Sequence, residues 1–187
     1  MPMRTCWARV VAACLFAATA VMSTVAATAA DEEGKAIKFG KYSMQVPKDW
    51  EQKQPSVRII AYEFAAPAAE GDSTAGRLTV MGAGGTIEQN VERWYGQFTQ
   101  PDGSNTADKA KVDKKEIAGQ KVHTVDISGT YKDQRGPFAP AVEREGYRML
   151  GAIVETKEGN VFFKFYGPQK TITKHADAFW SMINSLK

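Results

Sequence analysis

Sixteen uncharged residues, Val10 to Val25, follow Arg4 and Arg9 and run into Ala26-Ala27-Thr28-Ala29-Ala30. A basic start, an apolar stretch and a small-residue cleavage site occur here in the order of a secretory signal peptide. Ala27 and Ala29 suit cleavage between Ala29 and Ala30, and Thr28 with Ala30 suits cleavage one residue later. The acidic Asp31-Glu32-Glu33 that follows fits a mature N-terminus better than a membrane span. An uncleaved anchor fits less well, because the apolar run falls short of the roughly 20 residues that cross a bilayer. Val11-Ala12-Ala13-Cys14 has lipobox-like residues, but only Val10 to Ala13 precede the cysteine as apolar chain. The expected organisation is signal peptide 1–29, short charged leader 30–36 and one domain over 37–187.

Cleavage constrains everything that follows. Removing 29 of 187 residues leaves 158, a single-domain length that can bury a core without staples. Cys6 and Cys14 leave with the signal, so the domain has neither a disulfide framework nor a cysteine-zinc site. Arg4 and Arg9 leave too, so 24 basic residues become 22 against 21 acidic ones. A net charge near +1 is no footprint of nucleic-acid binding.

Along the mature chain, Ile37 to Val46 reads as a hairpin turned at Gly40-Lys41, stopped by Pro47, with Trp50 large enough to cover a sheet edge. Val57 to Ala65 and Arg77 to Ala83 read as strands flanking a loop with Pro67, Gly71 and Gly76. Thr86-Ile87-Glu88-Gln89 is a capping box. Ile87, Val91, Trp94, Tyr95 and Phe98 then share one face of a helix expected over Thr86–Thr99. Val112 to Ile117 and Val122 to Tyr131 form a second hairpin. Tyr147 to Thr156 and Val161 to Tyr166 form a third, and a helix carrying Ile172, Ala176, Phe179 and Ile183 closes the chain. Hairpins with helices at two separate points predict an α+β sandwich with a mostly antiparallel central sheet.

The segment Tyr42-Ser43-Met44-Gln45-Val46-Pro47-Lys48-Asp49-Trp50 resembles the "strand, Pro, x, x, Trp" opening of the PsbP-like superfamily. The ending Phe179-Trp180-Ser181-Met182-Ile183-Asn184-Ser185-Leu186-Lys187 is similar to that superfamily's closing helix. The resemblance covers most of Ile37 to Lys187. It implies an α/β/α sandwich and a non-enzymatic, partner-binding role, as for the photosystem II subunit PsbP and a Ran-binding import factor. It carries no catalytic or metal residue onto this chain.

Chemical motifs are sparse. Gly82-Ala83-Gly84-Gly85 between strand and helix invites a dinucleotide reading, but Ile87 stands where the third glycine of the fingerprint belongs, so a tight turn is expected instead. His123 and His175 lack neighbours at ligand spacing, and Asp126 falls on the opposite strand face from His123. No Gly-x-Ser-x-Gly elbow is present. Lys109, Lys111, Lys114 and Lys115 alternate with Asp108, Asp113 and Glu116, as on a solvated face. No cofactor and no metal are expected.

The long connection Gly129–Gly146 stands out, because connections of that length are often functional. Tyr131, Arg135 and Phe138 within it are of the types enriched at binding hot spots. The expectation is an exported, non-catalytic interaction domain. Its partner is a protein of the cell envelope or exterior, contacted through Tyr131, Arg135 and Phe138. A small-molecule or lipid carrier is the first alternative and an exported hydrolase the second. The export reading has a direct check: the intact mass of the exported protein begins at Ala30, whereas a lipidated Cys14 or a retained Met1 overturns it.

Overall fold

The computed structural model describes residues 35–134 and 139–187. The signal and most of the leader, with the cleavage residues Ala29 and Ala30, lie outside the described residues. So do Arg135 and Phe138.

Two strands, β1 (Ala36–Phe39) and β2 (Tyr42–Gln45), form the expected hairpin, with Gly40 at φ +53° in its turn. The main sheet contains β3 (Glu51–Lys53), β4 (Ile60–Ala66), β5 (Gly76–Gly82), β6 (Phe98–Thr99), β7 (Lys111–Ile117), β8 (Gln120–Asp133), β9 (Val142–Thr156) and β10 (Gly159–Pro168). Its order is β3-β4-β5-β10-β9-β8-β6, and β7 pairs β8 beside β6. All of these pairings are antiparallel. Four helices complete the fold: α1 (Ile87–Tyr95), α2 (Thr106–Lys109), α3 (Gln169–Lys174) and α4 (Ala176–Asn184).

Strand alternation explains the layers. On β10, Phe163 and Phe165 point to one face, joining Leu78 and Val80 of β5 and Leu150, Ala152 and Val154 of β9. Hairpin β1–β2, α3 and α4 cover that face through Ile37, Met44, Ile172, Phe179 and Ile183. Phe162 points the other way, with Val125 and Ile127 of β8 and Met149 and Ile153 of β9. Helix α1 covers this second face through Val91 and Trp94. The protein is therefore α+β, an α/β/α sandwich on a mostly antiparallel sheet, as expected.

Local chemistry sets the helix ends. Thr86 Oγ1 accepts from the Gln89 amide at 3.2 Å while Gln89 Oε1 accepts from the Thr86 amide at 3.0 Å, completing the capping box. The helix is shorter than its apolar spacing predicts. It stops at Tyr95 before Gly96, and Phe98 leaves the helical face to pair with Tyr131 of β8. The closing helix is broken at His175, which ends α3 and begins α4.

Two more expectations need correction. Val57 and Ile59 are exposed, and the strand starts only at Ile60, after β3, a short strand whose charged residues hide it from a periodicity reading. Trp50 does not cover an edge. It is fully buried, stacked on Phe165 with ring centroids 4.6 Å apart, and its Nε1 donates to His175 Nδ1 at 3.3 Å. The Nε2–H of His175 then donates to the Pro67 carbonyl at 2.9 Å, so one imidazole ties the chain after β2, the loop after β4 and the α3–α4 junction.

The seat of α1 depends on a missing side chain. A Cβ on Gly151, in the middle of β9, would run into the six-membered ring of Trp94. The helix can lie this close only because glycine leaves the sheet surface bare there. Gly151→Val should therefore cost about 1–3 kcal/mol by overpacking, read as a lower urea midpoint. A variant as stable as the parent would show that α1 shifts freely on the sheet.

Candidate functional site

Beyond the C-terminal end of α1, the second face of the sheet is covered by tyrosines rather than aliphatic side chains. Phe98 and Tyr131 have ring centroids 5.2 Å apart, Tyr131 and Tyr166 5.1 Å, and Tyr131 and Tyr147 lie parallel at 5.9 Å. They come from four neighbouring strands, β6, β8, β9 and β10, which only the sheet brings together. A bulge between Gly129 and Tyr131 changes the register there.

Lys164 of β10 lies among these rings. Its Nζ is 4.4 Å from the Tyr166 ring centroid and 4.8 Å from that of Tyr131. It donates to Gln97 Oε1 at 2.6 Å and to the Tyr131 hydroxyl at 3.1 Å. Gln97 is held in place by the short link between α1 and β6, where its carbonyl accepts from the Lys132 amide at 2.8 Å. Neither acceptor of the Lys164 amine is a carboxylate. Burial of the amine, with a smaller contribution from the nearby Arg77 charge, lowers the Lys164 pKa to about 7. Burial also raises the Tyr131 hydroxyl well above the ordinary phenol range, so it stays a neutral donor.

Arg77 of β5 closes the other side. Its Nε and Nη2 each donate to one oxygen of Glu63 at 2.8 Å, and its Nη1 donates to the Tyr166 hydroxyl at 2.6 Å. The bidentate carboxylate holds the guanidinium charged and raises its pKa further. That pairing also commits Glu63 to Arg77, leaving it unable to neutralise Lys164.

The sequence-derived site is only partly reproduced. Tyr131 lies in strand β8 and is 6% exposed, so it is a wall of this cluster rather than a loop contact. The expected connection is shorter than Gly129–Gly146, because β8 runs on to Asp133 and β9 begins at Val142, with Tyr131, Lys132 and Asp133 paired to Arg144, Glu143 and Val142 beyond the bulge. An alternation reading misses this extension: Glu143, Arg144 and Glu145 look like loop. Lys164 and Arg77 were not singled out in the sequence. The available signal was a lysine between Phe163 and Phe165 in an otherwise buried strand.

The remaining candidates resolve simply. His123 does have an acidic neighbour: its Nε2 lies 2.6 Å from Glu155 Oε1, and that contact lowers the Glu155 pKa. The partner sits on the adjoining strand, 32 residues away, where no local spacing reveals it. At Gly82–Gly85 the turn reading holds, with Gly85 at φ +88°. Among the described residues, no group of three or more His, Cys, Asp or Glu side chains could hold a metal ion. Open clefts among the described residues include one that reaches the cluster at Phe98 and one on the opposite face. One of about 390 Å³ is bordered by Glu92, Tyr95 and Asn105, the other of about 430 Å³ by Pro47, Ala178 and Met182.

Comparison with protein-family models gives no match, and comparison with curated proteins gives none. Among solved structures, the chain is similar to the cyanobacterial PsbP (CyanoP) of Synechocystis, at 13% identity over 82% of this chain and 91% of that one, with a TM-score of 0.49. It is also similar to a Pseudomonas aeruginosa protein of unknown function, at 12% identity over 81% of this chain and 94% of that one, with a TM-score of 0.43. A Bacteroides thetaiotaomicron protein matches at 16% identity over 83% of this chain but 48% of its own length, with a TM-score of 0.39.

The depressed Lys164 pKa has a measurable consequence. An unfolded lysine holds its proton to about pH 10.4, so between pH 7 and that value the unfolded chain binds more protons than the folded one. This group's contribution to stability is therefore lowest below pH 7 and is gained as pH rises from 7 towards 10. Lys164→Met should raise the thermal midpoint at pH 6, and the gain should shrink steadily towards pH 10. A gain independent of pH would place the lysine's titration outside this range.

Proposed function

We propose that the protein is an exported, non-catalytic interaction domain. Its contact surface is the patch of Tyr147, Tyr166 and Arg77 with the β8–β9 ribbon, and Arg135 and Phe138, outside the described residues, are contacts proposed from the sequence. The observation carrying this reading is the packing of the three patch residues on the sheet. All are half-buried side chains on sheet strands, backed by Tyr131, Lys164 and Glu63. Tyrosine and arginine held in this way offer a large contact area with little entropy left to lose on binding. The ribbon continues the surface. Tyr131 pairs with Arg144, Lys132 with Glu143 and Asp133 with Val142, which is itself exposed.

The motif resemblance to the PsbP-like superfamily supports a partner-binding role, and the signal-like N-terminal sequence supports export. No helix among the described residues is long and apolar enough to cross a membrane. The partner is a protein met after export.

The test is capture from the native envelope fraction, with mass spectrometry of what is retained. Tyr147→Ala combined with Arg144→Ala should weaken capture of the identified partner by about 2 kcal/mol or more, and so should Arg135→Ala with Phe138→Ala. The thermal midpoint of each double variant should move by less than about 4 °C. Unchanged capture by both would remove this surface from consideration.

A further inference from the structure

The Lys164 cluster supports a reading beyond partner contact, and it stands or falls independently of that proposal. We propose that the Lys164 amine is a reversible covalent binding site for planar, conjugated aldehydes.

The geometry supplies three requirements. The first is an amine with no carboxylate partner. Its described acceptors are the neutral Gln97 Oε1 and Tyr131 hydroxyl, and Glu63 is bound bidentately to Arg77. The second is a positive neighbour, Arg77, together with partial burial of the amine, a combination that makes a lysine nucleophilic near neutrality. The third is flat walls. The rings of Tyr131 and Tyr166 face Nζ at 4.8 and 4.4 Å, and Tyr147 stacks parallel to Tyr131. A conjugated substituent on the bound carbon would lie against these faces, whereas an aliphatic chain would gain less from them. Tyr147, Tyr166, Arg77 and Lys164 itself all keep partial exposure, which provides the route in.

Among the described residues, two charged groups act on the amine. Arg77 on β5 opposes its protonation, Asp133 on β8 favours it, and burial outweighs both. Asp133 is itself paired with Arg144 of β9 at 3.4 Å. Glu63 on β4 is neutralised by Arg77, and Tyr131, Tyr147 and Tyr166 contribute only hydroxyls. With a pKa of about 7, roughly half of the amine is unprotonated at neutral pH.

In the reaction, the nitrogen lone pair forms a bond to the carbonyl carbon. The carbonyl oxygen takes a proton from the Tyr131 hydroxyl, which recovers one from the amine nitrogen. The Tyr131 hydroxyl then protonates the carbinolamine hydroxyl, which leaves as water as the nitrogen lone pair forms the C=N bond, and the iminium nitrogen returns its proton to the Tyr131 phenolate. Amine and aldehyde thus give imine and one water, with no change of oxidation state, and hydrolysis reverses the step.

The experiment treats the intact protein with benzaldehyde or butanal in the presence of sodium cyanoborohydride, which reduces any imine to a stable secondary amine. Peptide mass spectrometry then maps the modified lysines. At pH 7, benzaldehyde should label Lys164 at least about tenfold faster than the solvent-exposed Lys48 and Lys157, because almost all of an ordinary lysine is protonated there. The Lys164 rate should level off above about pH 8 while the surface rates keep rising, and butanal should be slower at Lys164 than benzaldehyde. Lys164→Met should lose this fast phase and keep its far-ultraviolet circular dichroism. An unmodified Lys164, labelling no faster than at Lys48 and Lys157, or no plateau with pH would each overturn the proposal. Equal rates for the two aldehydes would overturn the assignment to planar ligands.

Discussion

The register of β10 between β5 and β9 is the constraint on which the rest of the structure depends. In this one strand Phe163 and Phe165 serve one core, while Phe162, Lys164 and Tyr166 serve the opposite face. Because side chains alternate with a period of two, a slip of one residue would exchange all five. It would drive Lys164 into the apolar layer under α4 and turn Phe165 away from Trp50 and Phe179. The cost of burying that amine among aliphatic side chains makes the slip prohibitive, so Lys164 helps to set the register as well as forming a site. Hydrogen bonding on both edges of β10 then fixes where the flanking strands lie.

The two faces are built on different principles. The face under α3 and α4 is a dry core whose buried polar groups are paired: Trp50 to His175, His175 to the Pro67 carbonyl, and Thr171 to Asp72. That chain of bonds pairs both ring nitrogens of the buried histidine at the junction of α3 and α4. Arg148 makes a comparable tie. It grips Asp126 bidentately at 2.9 and 2.8 Å and reaches Thr173 of α3 at 3.0 Å. The face under α1 is dry only as far as Trp94 over Gly151. Past the end of that short helix, tyrosines replace aliphatic residues and their hydroxyls accept from buried cations.

A buried lysine satisfied by neutral oxygens is a costly choice for a fold that could have used leucine there. An uncharged side chain would remove the desolvation penalty. Retaining an amine gives the cluster a group whose charge changes near neutral pH, in contact with rings that reach the surface. Partner contact and carbonyl chemistry share Tyr147, Tyr166 and Arg77, so a partner seated on this rim would close the route to the amine.

Much of the fold was legible in the sequence because it is encoded locally. Alternating residues marked the hairpins, Thr86 and Gln89 marked the start of α1, and the run from Ile172 to Ile183 marked the closing amphipathic stretch. The missed features involved contacts distant along the chain. Phe98 kept helical spacing with Val91 and Trp94, yet pairing with Tyr131 drew it into β6. Glu143 to Glu145 looked like loop because their side chains are solvated, yet their backbone extends the β8 ladder. His123 found Glu155, and Trp50 found His175, across separations that no spacing rule spans. The sequence by itself determined the α+β class and the cysteine-free domain, since periodicity and composition act over a few residues at a time. Only the tertiary structure decided the site. Lys164, Tyr131, Tyr166 and Arg77 stand on three strands, and lateral hydrogen bonding is what sets them side by side.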